Sequence, residues 1–131
     1  MKMLLVVFCL QLLFAISGCS NKTYPTNGET IYRTGKNVRG DRLLDRSASR
    51  IKIVNSCQNC HGKHGDALKI HTIKFASLAN VDIYPVPYTD SLFYRFIDKD
   101  LKSNGIKANI GVIWKMSDSD QTDLLEFLKK L

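Results

Sequence analysis

The stretch Cys57-Gln58-Asn59-Cys60-His61 places two of the chain's four cysteines and one of its three histidines within five consecutive residues. Three kinds of site use such a cluster: a redox dithiol, part of a metal site, or an attachment point for haem. On one helical turn, both thiols lie on the same face and reach the two vinyl groups of one porphyrin, while the histidine projects its imidazole toward the iron. The motif therefore favours one covalent c-type haem held by Cys57, Cys60 and His61.

The two rival sites fit the surrounding sequence less well. A thioredoxin-like dithiol follows a strand and opens a long helix, whereas Gly62 and Gly65 follow this motif at once and no parallel-sheet pattern is present. A structural zinc ion needs four ligands, commonly supplied as two pairs. The other two cysteines, Cys9 and Cys19, belong to the N-terminal export segment, so no second pair remains, and the nearby nitrogen ligands are His61, His64 and His71.

The N-terminus carries an export pattern. Lys2 precedes an apolar run over residues 3–16 that is too short to span a membrane, and small residues follow it. The segment Ile16-Ser17-Gly18-Cys19 resembles the lipobox of bacterial lipoproteins, which implies a lipidated Cys19 at the start of the mature chain. We therefore expect a signal peptide at residues 1–18, a lipidated tether at 19–25, and a periplasmic protein anchored to a membrane surface, with inner and outer membrane left open.

The charge balance is basic, with a formal net charge of +7 that falls by one when Lys2 leaves with the signal. The basic residues between Arg33 and Lys52 are scattered, which is typical of a solvated face. The alternatives are a docking surface for acidic redox partners or a set of partners for haem propionates. No RNA-binding aromatic motif is present, so we expect no nucleic-acid partner.

Local signals predict short helices joined by long loops, which is an all-α fold with no internal repeat and no confident strand. Capping patterns mark helix starts at Thr26 and Ser117, and Gly35 is placed to end the first helix. A helix is also predicted over residues 47–59, leading into the motif. Another is expected to begin at Asp90 and end at Gly105.

The two ends of the mature chain resemble bacterial monohaem class I cytochromes c. The resemblance rests on Asn27-Gly28-Glu29 with Ile31-Tyr32-Arg33-Thr34-Gly35, on the motif with Gly62, and on Trp114 to Asp120 with Asp123 to Lys129. It implies the small cytochrome c fold over residues 26–131, with N- and C-terminal helices packed together around one haem. It also implies one-electron transfer, His61 as the proximal ligand, and a methionine on the other side of the iron.

The distal ligand is where the sequence departs from that family. Aligning Trp114 and Ser117 puts Gly111 at the position of the usual methionine. Met116 remains after signal removal and is the predicted iron ligand, with packing of the last helix as its alternative role. His71 or His64 are alternative ligands. A third possibility is that the distal position is open.

The sequence thus predicts an electron carrier rather than an enzyme, since no acid–base pair or nucleophile constellation stands out. Its expected partners are redox proteins, such as a quinol-oxidising complex upstream and a terminal reductase or oxidase downstream. The alternative function is a haem-based ligand binder or sensor with an open distal site, and a dithiol oxidoreductase is a third.

Overall fold

The computed structural model describes residues 22–68 and 72–131, and their regular secondary structure is helical. The helices are α1 (Asn27–Thr34), α2 (Cys57–His61), α3 (Phe75–Leu78), α4 (Asp90–Lys99) and α5 (Asp118–Leu128). Within the described ranges extended pairing is limited to isolated bridges between single residues. The prediction of an all-α fold is therefore confirmed. None of the helices in these ranges has the length and apolar character needed to cross a membrane.

The core forms where α1 packs against α5. Gly28 lies so close to α5 that a Cβ built on it overlaps the carbonyl of Asp123 and approaches Cβ of Phe127 to 2.9 Å. One turn later, the Tyr32 ring lies 5.3 Å from the Phe127 ring, measured between centroids. The same α1 helix also contacts α2. The buried apolar residues are Ile31, Tyr32, Leu43, Leu78, Tyr88, Phe93, Ile97, Trp114, Leu124, Leu125 and Leu128.

The predicted ends of the terminal helices are confirmed. The hydroxyl of Thr26 accepts a hydrogen bond from the backbone N–H of Glu29 at 3.1 Å, and Ser117 caps α5 in the same way. Gly35 closes α1 at φ 67°, where its N–H donates to the carbonyl of Ile31. Both caps depend on neighbours in sequence, which is why local patterns were sufficient to locate them.

The helix predicted over residues 47–59 is wrong, since only Cys57–His61 is helical. Residues 43–51 instead lie alongside residues 111–115, the segment that precedes α5. Asp45 donates its N–H to the carbonyl of Ile113 at 2.9 Å, and Lys115 donates to that of Leu43 at 2.8 Å. Within the predicted range, Arg50 and Ile51 both donate their N–H groups to the carbonyl of Gly111 at 3.0 Å. The N–H that Ile51 would donate inside a helix is therefore used in a long-range bond.

The bounds of α4 also differ from those predicted. Thr89 rather than Asp90 is its N-cap, and the helix ends at Lys99 instead of continuing to Gly105. Asp100 takes a left-handed conformation there, at φ 55°, and its carboxylate accepts the N–H of Ile110 at 3.2 Å. A non-glycine residue can thus end a helix when its side chain bonds the backbone that follows.

Asp120 is a buried polar junction between α1, α5 and the loop after α1. Its side chain is 3% exposed and accepts hydrogen bonds from Asn27 at 3.0 Å and from Ser117 at 2.8 Å. Asn37 donates a longer bond at 3.4 Å, and the guanidinium of Arg39 lies 3.7 Å away. Burial raises the pKa of the Asp120 carboxyl, but these hydrogen bonds outweigh it, so the pKa lies below its usual 3.8.

We expect Asp120→Ala to lower the free energy of unfolding by roughly 3 kcal/mol, because it leaves buried donors unsatisfied. Because the pKa of Asp120 is lower in the folded protein than in the unfolded chain, its carboxylate stabilises the fold at pH values above the unfolded pKa of 3.8. The difference in the free energy of unfolding between wild type and variant should therefore become smaller as the pH falls below 3.8. Urea unfolding of both proteins at a series of pH values measures this difference.

The matched control is Asp118→Ala, which removes an exposed carboxylate from the same first turn of α5. We expect this variant to lose at most about 1 kcal/mol through the helix dipole. Equal losses in the two variants would show that the hydrogen-bonded junction contributes nothing beyond charge at the helix terminus.

Candidate functional site

The five motif residues form one short helix, α2, whose two ends are fixed by neighbouring groups. At its start, the Asn59 side chain accepts hydrogen bonds from both the N–H and the hydroxyl of Ser56, each at 2.9 Å. At its end, Gly62 has φ 71° and donates its N–H to the carbonyl of Gln58 at 2.9 Å. Both non-cysteine positions inside the motif are thus used to hold the turn on which the thiols lie.

The α1 helix holds α2 through side chains that approach it directly. The hydroxyl of buried Tyr32 donates to the carbonyl of Gly62 at 2.6 Å, and Arg33 donates to the Gln58 side chain at 3.1 Å. The next loop adds a bond from the N–H of Ala67 to the carbonyl of His61 at 3.1 Å. Because Tyr32 also packs against Phe127, one aromatic residue connects the motif to the α1–α5 core.

The two thiols of the motif are free and lie in different environments. Cys57 is half-buried against the core, whereas Cys60 is exposed. Burial raises the pKa of the Cys57 thiol to about 12, so this group stays protonated at neutral pH. Cys57 therefore lacks the lowered pKa that activates the attacking thiol of a redox dithiol.

A metal site built from several side chains is also not present in the part of the chain that the structure describes. There, no group of three or more His, Cys, Asp and Glu residues is arranged to hold an ion. The donor set of the motif, two free thiols and one half-buried imidazole on a single helix, fits the chemistry of a c-type haem. Large apolar side chains also stand exposed on both sides of the motif, with Ile53 89% and Leu68 43% accessible.

Gly111, at the position where the resemblance predicts methionine, has a role in the backbone conformation. It is buried at φ 82°, and its carbonyl accepts the N–H groups of Arg50 and Ile51, both at 3.0 Å. A methionine at this position would have to adopt a conformation that L-residues rarely take. The residue therefore positions the segment before α5 against residues 43–51.

The other predicted site residues differ in their burial, and two of them lie outside the described residues. Met116 is half-buried and packs against the core just before the Ser117 cap. His64 is exposed in the loop after α2. Cys19 and His71 lie outside the described residues. The roles of Met116 and Cys19 as ligand and lipid attachment point stay predictions.

Sequence reasoning missed the residues that support the motif. In the sequence, Tyr32 stands out only as part of the stretch that resembles cytochromes c, although Gly28 and Tyr32 lie one turn apart on the same face. That spacing was a usable signal for the face that packs on α5. The bond from Tyr32 to Gly62 had no such signal, because the two residues are 30 positions apart.

Comparison of the chain with protein-family models, with curated proteins and with solved structures finds no significant match.

Proposed function

We propose that this chain is an exported, lipid-anchored c-type cytochrome that transfers single electrons. The observation that carries the proposal is the placement of both free thiols and the His61 imidazole on the single turn of α2. The packing of the first helix on the last one, through Gly28 and Tyr32, is consistent with the small cytochrome c fold that the resemblance implies.

Each motif residue has a distinct role in this proposal. Cys57 and Cys60 would hold the porphyrin by thioether bonds, and His61 would be the proximal ligand of the iron. When bound, haem supplies a couple that alternates between ferrous and ferric iron. The contacts of Tyr32 and Arg33 with α2 keep the histidine-bearing turn fixed on the core, which limits structural change between the two oxidation states.

The proposed location and partners of the protein follow from its N-terminal lipid attachment site and its net charge. A lipid on Cys19 would keep the carrier at the membrane, where respiratory partners are found. The excess of basic residues would speed encounters with acidic partner surfaces, and added salt would slow them. The same basic character makes acidic redox proteins better partners than basic ones.

The test of this function is acid–acetone extraction of the protein produced together with a haem-attachment system. We expect haem to stay with the polypeptide and the reduced protein to show the sharp visible bands of a c-type haem. Complete extraction of haem would refute covalent attachment. Electron exchange with a soluble c-type cytochrome, followed by stopped-flow absorbance, then tests the carrier function.

A second candidate function is a haem-based ligand binder or sensor with an open distal position. The backbone role of Gly111 favours it, because its φ of 82° disfavours a methionine ligand at that position. Binding of carbon monoxide to the reduced protein distinguishes the two functions. Rapid, saturable binding supports the sensor, and an unchanged spectrum supports the carrier.

We expect Met116→Leu to remove the far-red sulfur-to-iron band of the oxidised protein and to lower its reduction potential. A thioether ligand raises the potential of haem iron, and its loss reverses that effect. Leucine is close to methionine in volume, so the packing of Met116 against the core should be kept at a cost below about 1.5 kcal/mol. Spectroelectrochemistry measures the band and the potential together.

His64→Gln is the control, since this exposed side chain lies on the loop after α2. We expect its spectrum and potential to match those of wild type. If Met116→Leu leaves both quantities unchanged, Met116 is a packing residue. A change in His64→Gln instead would assign the distal ligand to the histidine.

A further inference from the structure

The chain just before α1 is bonded to that helix through the backbone of Tyr24. The N–H of Tyr24 donates to the hydroxyl of Thr30 at 2.9 Å. That hydroxyl donates in turn to the carbonyl of Thr26 at 2.9 Å, and the carbonyl of Tyr24 lies 3.5 Å from it. Because Thr30 is buried, with 1% of its surface exposed, these bonds hold residues 24–26 on the start of α1.

The side chain of Tyr24 gives the same segment a second attachment. The guanidinium carbon of Arg33 lies 5.1 Å from the centre of the Tyr24 ring, and the ammonium group of Lys22 lies 5.4 Å from it. Both distances are within the range of cation–π contacts, about 6 Å. Arg33 is held in place by Glu29, whose carboxylate accepts its Nε–H at 2.7 Å. The Tyr24 ring therefore packs on a guanidinium group that is already fixed.

Arg33 also connects this attachment to the motif helix. Its Nη1 donates to the side chain of Gln58 in α2 at 3.1 Å, so one guanidinium group contacts both α2 and the Tyr24 ring. The chain consequently leaves the folded domain toward Cys19 from the edge that carries α2. We call this edge, defined by Tyr24, Arg33 and Gln58, the α1–α2 edge.

The number of residues before Tyr24 limits how far this edge can lie from a lipid on Cys19. Residues 20–23 separate the two positions. The five steps from Cys19 to Tyr24 span at most about 17 Å when fully extended. If the chain were free as far as Asn27, where α1 begins, the limit would be about 27 Å. Docking of Tyr24 therefore shortens the reach and fixes the point from which the tether leaves.

We infer that the α1–α2 edge faces the membrane surface to which Cys19 attaches the protein. The inference rests on the lipid anchor of the proposed function and adds an orientation to it. A domain of about 100 residues has a radius of gyration of about 13 Å and is therefore wider than the reach of the tether. Its opposite side cannot turn to the bilayer while Tyr24 stays docked. The motif then lies beside the bilayer, which favours a membrane-embedded redox partner over a soluble one.

The test is photo-cross-linking of the full chain, purified and reconstituted in vesicles of phosphatidylethanolamine and phosphatidylglycerol that contain a phospholipid with a photoreactive headgroup. Intact mass first shows whether Cys19 carries lipid. Peptide mass spectrometry then locates the cross-links. We expect severalfold more cross-linking to residues 22–33 and α2 than to residues 102–107. That loop is held by α4, where Arg95 donates to two of its carbonyls.

Tyr24→Ala is the variant that releases the segment, and Tyr24→Phe is its matched control. Phenylalanine keeps the ring against Arg33, and the bonds to Thr30 are made by the backbone. In Tyr24→Ala we expect the N–H of residue 24 to exchange with deuterium about tenfold faster, the scale of one net hydrogen bond. Its cross-links should spread to residues 102–107. Tyr24→Phe should match wild type in both measurements.

The possible failures of this experiment are distinguishable. A mature chain without lipid on Cys19 refutes the anchor of the proposed function together with this inference. If the lipid is present but the cross-links are spread evenly over the domain, the inference alone is overturned. The same holds if Tyr24→Ala keeps the cross-linking pattern of wild type.

Discussion

The double variant Cys57→Ser/Cys60→Ser is expected to lose all covalently held haem. Each thioether needs a thiol, and the described part of the chain contains no other cysteine that could replace the pair on α2. Serine is nearly isosteric, so the half-buried contact of Cys57 with the core should persist. Acid–acetone extraction, followed by haem-linked peroxidase staining after denaturing electrophoresis, measures the loss.

Two single serine variants and a control variant at a neighbouring residue make this experiment more specific. Cys57→Ser and Cys60→Ser should each keep one thioether and show a red-shifted spectrum, because one vinyl group stays conjugated with the porphyrin. Gln58→Ala, inside the same helix, should keep haem, since its side chain contacts only Arg33 among the polar groups described. Haem retained by the double serine variant would contradict attachment through α2 and with it the proposed function.

The second large effect is expected at the crossing of the terminal helices. In an open helix, Gly28→Ala would stabilise the protein by about 1 kcal/mol through helix propensity. Here the added methyl overlaps the Asp123 carbonyl and approaches Cβ of Phe127 to 2.9 Å. We therefore expect a net loss of about 3 kcal/mol or more in the free energy of unfolding, because α1 and α5 must separate. Chemical unfolding followed by circular dichroism measures it.

The same replacement at Gly105 is the control for this prediction. A Cβ there meets no atom within 4 Å, so only its φ of 84° opposes the change. We expect Gly105→Ala to lose about 1–2 kcal/mol, the cost of a left-handed conformation for an L-residue. If Gly28→Ala is as stable as wild type, the two helices are farther apart than the structure places them.

The arrangement of the candidate site on one helical turn was predictable from the sequence because its members are neighbours in the chain. The five-residue spacing of Cys57, Cys60 and His61 determines that they share one helical turn wherever that turn lies in the fold. The caps at Thr26 and Ser117 were predictable for the same reason, since each bonds a backbone group three residues ahead.

The segment between α1 and α2 was not predictable in this way. Residues 47–56 contain apolar residues at spacings that suggest a helix, but the N–H groups of Arg50 and Ile51 bond the carbonyl of Gly111, more than fifty positions away. Local periodicity carries no information about such partners. The resemblance to cytochromes c predicts a methionine where Gly111 stands, and only the contacts of Gly111 explain why glycine is present.

The sequence by itself determined the haem-type motif, the ends of the first and last helices and the all-α class, since each depends on residues within one or two turns. The tertiary structure decided that Gly28 forms the helix crossing, that Asp120 joins three elements, and that Arg33 connects the segment before α1 to α2. These features depend on contacts between residues far apart in the chain. Such contacts form only when burial of the common core brings those residues together.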